Sequence, residues 1–268
     1  MRIASIGHVF LAITVLCLGI VGVLHPGFVP IWSPIPVTVP GHRLLLYMGP
    51  ALSLVSGIGL LIQRTAATAA RSLLAALFLW LLLFRLPNFL RAPLFDACWS
   101  AFPLGVMLAA AWVLYVWFAA AWDRKHLRFI SGNGGLRIAR LVYGVSLVFF
   151  GLAHFIDVKD TVSLIPIWIP GHLFWAYFTG TAFVAAGLAV VFGLCARLAV
   201  ALSTLQIGLF LLLVWIPNLA AGSRVPFQWS ETILTGALLA AAWTIADSYR
   251  GTPWLAASAA SRRPTVSG

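Results

Sequence analysis

Eight residues of this chain have side chains and positions suited to chemistry: His25, His42, His154, His172, Arg85, Asn88, Asn218 and Glu231. Four imidazoles are a ligand set that Zn, Cu or haem iron would accept. No His-x-x-x-His or Glu-x-x-His spacing lies on one helix, however, and none of the four falls mid-segment. The spacing therefore argues against a metal or haem centre. A polar pocket at the ends of the helices is the favoured reading, and a metal site the less favoured one. Cys17, Cys98 and Cys195 fall at three different depths without a Cys-x-x-Cys, so dithiol exchange is not expected. There is no phosphate-binding loop, dinucleotide glycine fingerprint or Gly-x-Ser-x-Gly elbow.

The elements that must carry these residues are membrane helices. Of 268 residues, 62% are hydrophobic and 9% are charged, with a mean hydropathy of +1.02. A soluble domain carries about 25% charged residues, so a soluble enzyme and a disordered chain are both excluded. Eight segments are apolar over nearly the ~20 residues that a span needs: about 6–24, 43–62, 70–88, 100–121, 137–155, 173–193, 196–217 and 230–246. Runs such as Leu73–Phe84 do not alternate apolar and polar, as barrel strands would, and the class is all-α. Eight spans put both termini on one side, together with most of the seventeen Lys and Arg residues. That side is expected to be cytoplasmic. The net charge of +11 then reflects topology and implies no nucleic-acid partner. Arg2 ahead of the first apolar run resembles a signal peptide. The same element recurs internally at 137–155, so the first segment is expected to be a retained helix.

That recurrence extends along the chain. Gly22-Val23-Leu24-His25 returns as Gly151-Leu152-Ala153-His154, and Pro40-Gly41-His42 as Pro170-Gly171-His172. Pro87-Asn88 returns as Pro217-Asn218, and Trp99-Ser100 as Trp229-Ser230. Gly105 through Trp112 returns as Gly236 through Trp243. A near-constant offset through so many landmarks reads as a tandem duplication. Four spans per unit make the repeats parallel, related by a pseudo-twofold axis along the membrane normal. The expected organisation is a four-helix-bundle repeat over 1–122, a cytoplasmic linker over 123–136, a second repeat over 137–250 and a disordered cytoplasmic tail over 251–268.

A four-helix unit, a His ending its first span, the run Pro166-Ile-Trp168-Ile-Pro170-Gly171-His172 and a Pro-Asn at the end of the third span resemble the DoxX/DoxD-like family of bacterial membrane proteins, here in tandem. In the first half, Ile31-Trp32-Ser33-Pro34 and Pro36…Pro40 only approximate that run, with the Trp displaced. The resemblance implies a four-helix fold in the bacterial inner membrane. Some relatives resemble the small subunit of a thiosulfate:quinone oxidoreductase. The expected function is therefore an accessory or quinone-interacting subunit of a membrane redox system, with the bilayer and a redox enzyme as partners.

The eight residues share the end of the helices opposite the termini, which makes a pocket between the halves the functional expectation. Ordinary interfacial anchoring by His, Trp and Asn stands beside it. Arg85 and Glu231 have no charged counterparts in the other half (Trp215 and Ala101 take those positions), and an Arg85–Glu231 pair across the halves is expected to satisfy both charges. Gly19-x-x-Gly22, Ala109–Ala111 and Ala240–Ala242 are expected to let helices approach closely. Trp112 and Trp243 flank the alanine patches as packing residues or as a wall for a flat ligand. Two other functions fit the same residues. One is a structural or assembly protein that docks partners on its cytoplasmic linker. The other is a small-solute or lipid transporter, which the parallel repeats disfavour.

Overall fold

The computed structural model describes residues 4–256 and is helical throughout, with no strand among the described residues. Its long helices are α1 (Ile6–Leu24), α2 (His42–Leu61), α3 (Ala66–Leu90), α4 (Leu94–Phe118), α6 (Asn133–Ile156), α8 (His172–Phe192), α9 (Ala196–Ala220) and α10 (Pro226–Asp247). Two short helices, α5 (Ala121–His126) and α7 (Val158–Leu164), lie in connections. Seven of the long helices are long and apolar enough to cross a bilayer, and the protein is a multi-pass helical membrane protein. The eighth, α10, has the length, with 22 residues, but is diluted by Gln228, Glu231, Asp247 and several threonines. Many large apolar side chains stay exposed along α2, α3, α8 and α9 and form the lipid-facing surface.

Successive long helices pack as neighbours, α1 on α2, α2 on α3 and α3 on α4, then α6 on α8, α8 on α9 and α9 on α10. The two sets are joined by α4 against α6, by α1 against α10, and by α4 against α10 at the centre. Neither α1 with α4 nor α6 with α10 forms an extensive backbone contact. The closed four-helix bundles expected for each repeat are thus replaced by one bundle in which each half completes the other. The alanine runs explain the centre. Ala109, Ala110 and Ala111 of α4 and Ala240, Ala241 and Ala242 of α10 are all fully buried, and small side chains allow the close backbone approach that stabilises helices in lipid.

Glycines set the α1/α2 and α6/α8 seams. A Cβ at Gly57 would lie 2.6 Å from the Leu16 amide nitrogen, and one at Gly19 would lie 2.5 Å from that of Leu54. A Cβ at Gly187 would lie 2.5 Å from the Gly144 oxygen, and one at Gly151 the same distance from the Gly180 oxygen.

The third helix of each half departs from α geometry at matching places. Residues Leu81–Arg85 and Leu211–Trp215 form π turns, closed by Leu86 N–H to the Leu81 oxygen and Ile216 N–H to the Leu211 oxygen. Pro87 and Pro217 follow at once. A proline has no N–H and its ring crowds the carbonyl four residues back, so the preceding turn widens.

Several boundaries differ from expectation. Helix α4 begins at Leu94 instead of about 100, with Pro93 at its N-cap and Asp96 in its first turn, where the helix dipole favours an acid. Helix α6 begins at Asn133 instead of 137, inside the expected linker. Position 135, in the first turn of this helix, is a glycine because the Ile130 carbonyl and the Trp112 indole leave no room for a Cβ there. Trp112 Nε1 donates to that Ile130 oxygen at 2.9 Å, so Trp112 packs the linker, while Trp243 packs edge-on against Phe10.

The end bearing the linker is held by carboxylates. Asp123, only 1% exposed, accepts from Arg71 Nη1 at 3.3 Å, the Tyr115 hydroxyl at 3.2 Å and the Ala120 N–H at 3.2 Å. Asp247 reaches across the halves to accept from the Gly7 N–H at 2.9 Å and also pairs with Arg250 at 2.8 Å. Thr244 Oγ1 donates to the Gly7 oxygen at 3.0 Å. Residues 251–256, expected within a disordered tail, instead pack back on the bundle: Arg197 donates to the Thr252 oxygen at 2.7 Å and lies 4.1 Å over the Trp254 ring. The rest of that expected tail lies outside the described residues.

Candidate functional site

At the opposite end the connection between α1 and α2 does not stay on the surface. Val29, Ile31, Trp32 and Ile35 are all buried, so the loop 27–35 folds into the bundle. Trp32 anchors it. Its indole N–H donates to Ser53 Oγ at 2.8 Å, its carbonyl accepts from Trp80 Nε1 at 3.2 Å, and its ring meets the Trp80 ring edge-on at 5.0 Å. Gly49 is what admits the indole, since a Cβ there would sit 2.5 Å from Trp32 Cδ2.

Arg85 lies beneath this loop and is 1% exposed. The π turn brings it to the bundle side of α3. Its guanidinium donates to four loop carbonyls, those of Ser33 at 2.7 Å, Pro34 at 3.0 Å, Pro30 at 3.3 Å and Ile31 at 3.4 Å, while Nε has no partner among the described residues. The expected Arg85–Glu231 pair is not formed. The planar fork of donors matches a set of converging carbonyls, and the loop that supplies them has folded over the guanidinium.

Glu231 faces a cavity of about 450 Å³ at this end of the bundle. The loop contributes Gly27, Phe28, Pro30, Ser33 and Pro34; α4 contributes Asp96, Trp99, Ser100 and Pro103; α10 contributes Ser230, Glu231 and Leu234. Ser100 and Ser230 come from the two central helices, α4 and α10, so the cavity lies at the end of their contact. It mixes an apolar and aromatic wall with three hydroxyls and two carboxylates, the composition of a site that orients one polar group of a largely apolar ligand. No Lys, Arg or His lines it. Glu231 makes no hydrogen bond or ion pair among the described residues.

The other expected site residues are dispersed around this cavity and not gathered in it. Asn88 and His25 border it: Asn88 Nδ2 donates to Ser100 Oγ at 3.5 Å and the His25 ring meets Phe28 edge-on at 6.4 Å, and both Ser100 and Phe28 line the cavity. His25 is exposed at the C-cap of α1. His42, at the start of α2, approaches the Pro36 oxygen through Nδ1 at 3.3 Å. His154 bonds the Phe150 oxygen through Nδ1 at 2.7 Å and lies against the rings of Phe183 and Phe210. His172 begins α8, and Asn218 follows the second π turn. No group of three or more His, Cys, Asp or Glu side chains comes together to hold a metal ion among the described residues. Sequence reasoning missed Asp96, Ser33 and Phe28. The one available signal was the departure of the first-half loop from the Pro-x-Trp-x-Pro pattern.

That departure separates the halves. The positions 130 residues on from Ser53 and Trp80 are Phe183 and Phe210, so the slot that Trp32 fills in the first half is occupied in the second by the His154 ring. The second-half loop stays outside, with Ile167 95% and Trp168 71% exposed. No family model, curated protein or solved structure matches this chain.

Proposed function

We propose that the chain is a tandem-duplicated, DoxX-like protein of the bacterial inner membrane, with eight spans and both termini cytoplasmic. In this reading it serves as an accessory, quinone-interacting subunit of a membrane redox system. With 22 residues, α10 is about 33 Å long, enough for the ~30 Å hydrocarbon layer. Its polar residues concentrate at its two ends. Matching π turns, matching glycine seams and the reciprocal α1/α10 and α4/α6 contacts support the duplication.

The observation that carries the functional reading is the cavity between the halves, with hydroxyl donors beside an unpaired carboxylate and an aromatic wall. A bound quinone would supply the two-electron, two-proton chemistry. The chain's own part is to seat a flat ring near Phe28 and Trp99, to donate from Ser33, Ser100 or Ser230 to a ring oxygen, and to hold a proton on Glu231. The absence of Lys, Arg and His from the cavity lining disfavours an anionic headgroup. Dispersal of the four histidines fits interfacial anchoring, so the carboxylate takes the proton-handling role in this scheme.

The test is a reduced-minus-oxidised spectrum of protein purified in mild detergent, followed by binding of a short-chain ubiquinone analogue. A quinone band, and an affinity about tenfold weaker in Glu231→Ala, as loss of one hydrogen bond to a charged group would give, support the reading. A flat spectrum with no binding of the analogue would replace it with a structural or assembly role.

A further inference from the structure

We infer that Arg85 is the positioning residue that shapes the cavity facing Glu231, by clamping the loop 27–35 into the bundle so that Ser33 and Pro34 become part of its wall. The guanidinium is buried, and among the described residues no carboxylate pairs with it. Its charge is offset only by four carbonyl dipoles, which the loop must present together. A buried charge stripped of such partners is strongly unfavourable, so loop conformation and guanidinium placement enforce each other. The same residues, Ser33 and Pro34, turn their carbonyls to Arg85 and line the cavity.

The second half serves as an internal control. At the position equivalent to Arg85 stands Trp215, which packs edge-on against Phe227 at 6.1 Å. It offers no fork of donors, and the equivalent loop lies outside with Trp168 exposed. Duplication alone would give two equivalent loops. Arg85 therefore acts beside the Trp32 slot in setting the difference, and the cavity takes its loop wall from the first half.

The inference builds on the pocket proposed above, but its test needs no ligand and so fails separately from the quinone reading. In full-length protein with Cys17, Cys98 and Cys195 replaced by Ala, single cysteines are introduced as Ser33→Cys, Ser230→Cys or Trp168→Cys, and their reaction with a charged maleimide is timed in mild detergent. Loss of the clamp in Arg85→Gln is expected to raise the Ser33→Cys rate about tenfold, as for a locally opened segment, and to leave Ser230→Cys within about twofold. Arg85→Lys, whose single ammonium cannot serve four carbonyls, is expected to fall between. If Arg85→Gln yields no folded protein, Arg85→Lys carries the same comparison. Trp168→Cys should react fast in every background. An unchanged Ser33→Cys rate, or an equal rise at Ser230→Cys, would overturn the inference, because either result leaves the loop's position independent of Arg85.

Discussion

Gly57 and Gly187 should be intolerant of a single methyl group, and Gly236 should welcome one. In an open helix, Gly→Ala is favourable by about 1 kcal/mol, since the unfolded chain loses freedom and the helix gains propensity. At Gly57 the new Cβ would stand 2.6 Å from the Leu16 amide nitrogen and 2.8 Å from its Cα. Both are backbone atoms of a packed helix and cannot rotate away. At Gly187 it would stand 2.5 Å from the Gly144 oxygen and 2.8 Å from the Val148 nitrogen. Overpacking costs about 1–3 kcal/mol, and a contact this short with backbone atoms falls in the upper part of that range, at about 2–3 kcal/mol. Set against the propensity gain, a net loss of about 1–2 kcal/mol is expected at each site, and a larger one for Gly57→Val. At Gly236 nothing lies within 4 Å of the added carbon, so only the gain of up to about 1 kcal/mol remains. At about 2–4 °C per kcal/mol for a protein of this size, thermal unfolding in detergent should show Gly57→Ala and Gly187→Ala melting about 2–8 °C lower. Gly236→Ala should melt about 2–4 °C higher. A melting temperature unchanged or raised in Gly57→Ala would refute the claim that backbone contact at the α1/α2 seam holds the first half together.

Three further outcomes follow from the opposite end and from the topology. Asp123→Ala should cost about 2–4 kcal/mol, because it strands the buried Tyr115 hydroxyl and the Ala120 N–H. Arg71→Ala should cost under about 1 kcal/mol, since that partner is 47% exposed; denaturation of the two variants side by side checks the asymmetry. Asp247→Ala removes the acceptor that joins α10 to the start of α1 and should lower stability by about 1–3 kcal/mol. Its companion Arg250→Ala should change little, as an exposed ion-pair partner, and equal losses in the two would contradict this. For the proposed eight-span orientation, cysteines placed at His126 and Ile167 in the cysteine-free background should be labelled from opposite sides of intact cells or spheroplasts, Ile167→Cys from outside. Labelling of both from one side would refute it.

The amino-acid sequence by itself determined that this is a helical membrane protein and roughly where its long helices run. Those properties depend on hydropathy summed over about 20 residues and on spacing, and both are local to the chain. It also marked small residues for close helix approach: a Cβ at Gly19 would lie 2.5 Å from the Leu54 amide nitrogen, and the two alanine runs are fully buried, whereas the seam role of Gly57 and Gly187 came from the structure. Tertiary structure decided the remainder. Hydropathy carries no information on which helices touch, so the exchange of partners between halves, α1 with α10 and α4 with α6, emerged only from packing. The π turns depend on how each helix accommodates a proline within the bundle. Arg85 is the sharpest case. Its isolation in one half and the unpaired Glu231 in the other suggested a charge pair, yet a guanidinium with five donors is served better by four carbonyls of a loop folded onto it. Whether a loop rich in Ile, Trp and Pro turns inward or outward depends on a slot of the right size with polar partners at its base. The first half provides that slot with Gly49, Ser53 and Trp80, and the second fills it with the His154 ring.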